Sequence, residues 1–220
     1  GCEKDELTKP VKVNFSVELN SGKQFQNYIS FNKGTISFSK ITFEGNRTEG
    51  EGINFETKPG FDFGSFQFDT IDTGTLITHF DIPQGVYSFI KWGVKFAELD
   101  VSSYDFEAET AGLVIEGLYT TVEGVSIPVF IVVNSFEGLE IQATNASGLG
   151  NITFADEKTY TATLQFDMNY VFSSITKESF ENAEVEDDEL SFIEISSGSN
   201  ETLYQLVLFR IQKSAKIIIE

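Results

Sequence analysis

The chain has 220 residues, with 34 acidic against 15 basic side chains and a formal net charge of −19. That balance argues against nucleic-acid binding, because a phosphate backbone must be met by Lys and Arg. A single Cys leaves no disulfide within one chain and no cysteine-cluster metal site, and a single His leaves no site that needs two. Hydrophobic residues make up 40%, too many for a disordered chain, yet the longest apolar run, Ile127 to Val133, is far too short to span a bilayer as a helix.

Taken in chain order, the first feature is Cys2, followed by Glu3, Lys4, Asp5 and Glu6. A lone Cys here resembles the lipid-modified cysteine of a bacterial lipoprotein, and several acyl chains on one residue anchor a protein stably where one holds it only marginally. The acidic run behind it resembles the export signal that sends Bacteroidetes-type lipoproteins to the outer face of the outer membrane. Residues 1–10 are expected to form a tether, with membrane contact only through the lipid on Cys2.

Behind the tether, Val11, Val13, Phe15, Val17 and Leu19 alternate with polar residues, the period-two signature of a half-buried strand. The same alternation runs through Ile90, Trp92, Val94 and Phe96, through Val125 to Val133, and through Tyr160 to Phe172. Gly, Asn, Asp and Ser punctuate these segments, which predicts an all-β, mainly antiparallel β-sandwich or barrel rather than βαβ units. Residues 11–220 are read as a single domain, or two tightly packed sub-domains.

Two hairpins are predicted. A turn at Gly64-Ser65 would set Phe63 opposite Phe66 and Phe61 opposite Phe68, with all four rings on one face. A turn at Glu123-Gly124 would set Val122 opposite Val125 and Thr120 opposite Ile127, with a bulged loop as the alternative. The last third is expected to hold one or two short helices: 173–185 carry Ile175, Phe180 and Ala183 at loosely helical spacing, which predicts a short helix there. Ser197 to Asn200 offer an N-cap for a helix with Leu203, Leu206, Val207, Arg210 and Ile211 on one face, although a strand over the same residues fits a period of two. Ala215 to Ile219 close the chain as a strand.

The stretch Gly34-Thr-Ile-Ser-Phe-Ser-Lys-Ile-Thr-Phe-Glu-Gly45, the phrase Asp81-Ile-Pro-Gln-Gly-Val-Tyr87 and the closing Asn200-Glu-Thr-Leu-Tyr204 resemble a group of Bacteroidetes-type all-β surface lipoproteins. The resemblance implies a fimbrillin-like or transthyretin-like β-sandwich displayed by a lipid anchor, and it carries over no catalytic residue.

Candidate chemistry is sparse. His79 and Asp81 would share a strand face without pointing at each other, and no Gly-x-Ser-x-Gly elbow accompanies them. The acidic run 186–189 and the segment Asp69 to Gly74 supply hard oxygen ligands, but neither has the spacing of a calcium loop. Phe61, Phe63, Phe66 and Phe68 form a candidate ligand face for a glycan. The rival reading makes them core, since this chain uses 22 Phe and the ring has no polar handle. The expectation is therefore a lipid-anchored, non-enzymatic outer-membrane protein of the cell surface, a binding or adhesion module for glycan or protein that needs no metal or cofactor. The alternative is a structural subunit of a fimbria-like or other envelope assembly.

Overall fold

A computed structural model describes residues 8–20, 27–70, 74–156, 158–186 and 191–220. Cys2, Glu3, Lys4, Asp5 and Glu6 lie outside the described residues, as do Asp72 and Asp187 to Glu189.

The strands are β1 (Pro10–Asn20), β2 (Ile29–Arg47), β3 (Ile53–Glu56), β4 (Ser65–Asp69), β5 (Thr75–Pro83), β6 (Gly85–Phe96), β7 (Leu113–Thr120), β8 (Ser126–Val133), β9 (Gly138–Asn145), β10 (Ile152–Phe154), β11 (Tyr160–Asp167), β12 (Ile193–Ile195) and β13 (Lys216–Ile219). Among the described residues three helices join them: α1 (Met168–Phe172), α2 (Lys177–Glu181) and α3 (Glu201–Ser214). The class is all-β, as the alternation predicts.

The organising element is β2, whose 19 residues run past two successive partners on each edge. Its first half pairs with β7 and β4, its second with β6 and β3. On the next row β8 pairs with β7 and β9 with β6. The sheet is thus a meander in which the rows beside the continuous β2 are interrupted at one level. There Ser37 N donates to Gly112 O, Ala97 N to Ser37 O and Phe96 N to Glu137 O, so the interruptions stay laterally bonded.

From β9 the hydrogen-bonded order continues through β13, β11 and β1 to β5. This second layer folds over the upper half of the meander. Phe15 of β1 and Phe80 of β5 each reach Trp92 of β6 at 5.2 Å, while Phe43 meets the same indole at 4.9 Å. The helices cover the lower half, where Phe172 of α1 packs on Phe31 at 4.7 Å and Phe180 of α2 stacks on Tyr119 at 5.1 Å. The pairings β1–β11, β8–β12 and β9–β13 are parallel, so the sandwich is mixed; each joins strands from distant parts of the chain.

Local expectations are corrected at four places. The Phe hairpin does not form, because β2 takes β3 and β4 on the same edge, one after the other, and residues 57–64 bridge the gap. The β7–β8 turn does form, but Thr120 faces Ser126, and Gly124 at φ +83° closes a three-residue loop one register from the expected one. The inward set of β8, Val129, Ile131 and Val133, is the expected one, and Val122 and Val125 are exposed because they lie in and beside the loop, where Thr121 N donates to Val125 O at 2.9 Å.

The alternation through Tyr160 to Phe172 stops at Asp167, whose carboxylate accepts from Tyr170 N and starts α1. Met168, Val171 and Phe172 are then buried at helical spacing, while Tyr170 is exposed. The short helix expected within 173–185 is α2, with Phe180 buried. Over 201–214 the helix wins over the strand, with Tyr204, Val207, Leu208, Ile211 and Ser214 buried. Its buried face is rotated from the expected one, and Leu206 and Phe209 point outward.

Candidate functional site

Between α2 and the start of α3 lies an open cleft of about 570 Å³. Its α2 wall is held from below. Tyr119 OH donates to Glu181 Oε1, and Tyr28 OH donates to Ile175 O at 2.7 Å, just ahead of the helix. Burial and the neighbouring Glu181 carboxylate raise the Tyr119 phenol above its ordinary pKa of 10, so it stays a donor.

The opposite wall depends on Asn200, the N-cap residue of α3, which adopts left-handed backbone at φ 54°. Its side chain caps no helical N–H. Instead Oδ1 accepts from Glu184 N at 2.8 Å, while Nδ2 donates to Glu184 O at 3.1 Å and Glu194 O at 2.8 Å. One amide thus ties together the segment after α2, the middle of β12 and the start of α3. An Asn side chain offers donors and an acceptor together and tolerates this backbone better than most residues, which suits it to the position.

Beneath the cleft is a buried polar node. Glu194 is fully buried, and its carboxylate accepts from Glu107 N at 2.8 Å and Ala108 N at 2.9 Å. Desolvation raises its pKa, opposed by the hydrogen bonds from Ser196, Glu107 and Ala108. Asn134 Nδ2 donates to Ser197 Oγ at 3.2 Å, and Ser199 Oγ donates to Glu186 Oε1 at 2.8 Å. Gly198 closes the node: a Cβ there would lie 2.1 Å from Glu107 O.

The cleft lining has three kinds of surface: an apolar floor of Ala183, Leu203 and Leu206; neutral polar groups on Ser179, Asn182 and Thr202; and the carboxylates of Glu184 and Glu201. Such a lining binds by apolar contact, hydrogen bonding and charge. Sequence reading placed no site here. Ser197 to Asn200 signalled the start of α3, but nothing local shows that α2 stands opposite it.

The predicted ligand face is divided. Phe68 is buried, stacked on Phe166 at 5.8 Å, and Phe66 lies on the same inward side of β4. Phe63 packs edge-on against Phe38 at 6.3 Å, and Phe61 sits against Phe63 with half its surface exposed. His79 is exposed on β5 opposite Asn14, with Asp81 opposite Lys12. Glu186 belongs to the polar node, and Asp69 pairs across from Lys33. Among the described residues, no group of three or more His, Cys, Asp or Glu could hold a metal ion.

The outer face of β3, β2, β6 and β9 carries two shallow depressions of about 360 and 300 Å³. Lys40 pairs with Glu56 there, and Lys91 reaches Glu44 at 3.0 Å and Glu140 at 3.8 Å. These cross-strand pairs fill the face with one another.

The chain matches no family model, no curated protein and no solved structure.

Proposed function

We propose that the chain is a non-enzymatic binding or adhesion module of a bacterial cell envelope, anchored at the outer membrane through lipid on Cys2 and recognising a glycan or a protein in the α2–α3 cleft. The observation that carries this reading is the cleft itself. Its two walls are immobilised from opposite sides, by Tyr119 under α2 and by Asn200 under α3, so a ligand meets a preformed surface. The Cys2 anchor rests on the acidic tract behind it.

The test is a glycan and matrix-protein array probed with the whole chain and with Leu206→Asp. Signals from the parent that the variant loses support the reading. A blank array from folded protein, or signals indifferent to the variant, removes the cleft as the ligand site.

A second reading, a structural subunit of a fimbria-like assembly, is favoured by the outer side of β5, which pairs with no other strand among the described residues. Gln84 N donates to Lys9 O at 2.9 Å, which makes Lys9 and Gln84 a hydrogen-bonded pair. From there to Phe15 and Thr78 every second pair is bonded, and the backbone groups of His79 and Asp81 point away from β1. Such an edge accepts a strand from another chain. Concentration-dependent oligomers that His79→Pro abolishes support this reading; a monomer at every concentration removes it.

A further inference from the structure

The α2–α3 cleft combines an apolar floor with charge of one sign. Leu203 is half-buried against the core, and Leu206 is 41% exposed. Both titratable groups in the lining, Glu184 and Glu201, are exposed carboxylates. The nearby cations are engaged elsewhere. Lys177 pairs with Glu181 at 3.9 Å, Arg210 donates to Val171 O at 2.6 Å, and Lys213 lies over the Phe209 ring at 5.7 Å.

From Glu178 to Glu194 the chain has eight acidic residues and no basic one. The first turn of α3 opposes this with the partial positive charge of its N-terminus, about half a unit, against two full negative charges in the lining. An anionic glycan is therefore repelled. A neutral sugar finds no aromatic ring in these walls to stack on.

We infer that the cleft docks a basic, apolar peptide segment of a partner protein, seating an aliphatic side chain on Ala183, Leu203 and Leu206 with a Lys or Arg facing Glu184 and Glu201. This rests on the cleft being the ligand site and narrows its ligand from glycan or protein to a cationic peptide. The apolar anchor supplies affinity, and the carboxylates supply selectivity and speed of encounter.

The experiment is fluorescence anisotropy on the whole chain with a labelled peptide of alternating Lys and Leu, beside Lys–Ser and Glu–Leu peptides of equal length. The Lys–Leu peptide is expected to bind saturably, and the other two at least about tenfold more weakly. The E184Q/E201Q double variant and Leu206→Ser are each expected to weaken binding by about tenfold. A remote control, E49Q/E98Q, leaves it within about twofold. All these positions are exposed, and unchanged melting temperatures establish that the variants fold.

Equal binding of the Lys–Leu and Glu–Leu peptides overturns the inference, as does equal weakening by the remote pair, which assigns the attraction to overall charge. If the array signals depend on Leu206 but no basic peptide binds, the cleft stands as a ligand site and the cationic ligand falls. If neither depends on Leu206, both fall.

Discussion

Single residues in this fold owe their importance to where they end up rather than to their type. Trp92 is fully enclosed by Phe15, Phe43, Phe55 and Phe80, so the one tryptophan serves the core and not a ligand. The four phenylalanines of 61–68 divide by burial. Phe68→Ala should lower stability by about 3–5 kcal/mol, and Phe61→Ala by less than about 1 kcal/mol, in urea unfolding. Equal losses would contradict the division. Asn200 combines side-chain bonds with left-handed backbone. Asn200→Gly should lose only the bonds, and Asn200→Ala should lose a further ~1 kcal/mol from the strained φ. Identical melting points for the two variants would mean that the segment relaxes.

Elements form where local pattern and available partners agree. β1, β6 and the core half of β8 follow their alternation because each has a face to bury. Over α3 two periods compete, and the partner decides: a helix buries Tyr204, Val207 and Ile211 together, while a strand would bury Phe209, which is exposed. Ile211→Ala should therefore cost about 2–5 kcal/mol by thermal or urea unfolding, whereas Phe209→Ser should cost less than about 1 kcal/mol. The Phe hairpin fails at this scale too. Gly64 was legible as a turn residue, with φ +74°, but the strand after it is drawn to the open edge of β2 instead of pairing back. Phe68 then covers Gly34 across the pair, where a Cβ would lie 2.5 Å from the ring. Nothing in the 61–68 segment reveals that glycine.

At the scale of the whole molecule, excess negative charge adds to the effect of one buried carboxylate, Glu194, and one half-buried, Glu18. Glu194 and Glu18 both have pKa values raised above the ordinary 4.5, chiefly by desolvation. A carboxyl that holds its proton more tightly when folded contributes stability that is complete below its unfolded pKa and lost as pH rises through its folded pKa. Asp100, lowered by its bonds from Ser102, acts oppositely and is lost on acidification below its ordinary 3.8, but it is fully solvent-exposed. Melting temperature should therefore rise as pH falls from about 8 to about 5, helped by relief of self-repulsion among 34 acidic residues. Glu194→Gln should flatten that dependence in scans across this range. A flat profile in the parent would mean that Glu194 is hydrated.

The class, the positions of most strands and the inward set of β1, β6 and β11 can be read from local pattern, because a period of two needs only a face to bury. Composition likewise sets the overall charge, and with it which partners are repelled. Tertiary structure alone decided that β2 would carry two partners on each edge, that three pairings would be parallel, and that α2 would stand opposite the start of α3. The cleft is made by residues that meet only when Asn200 reaches across to Glu184 and Glu194. Contacts between distant segments depend on which surfaces remain free after the local elements form, and no window of sequence contains that information.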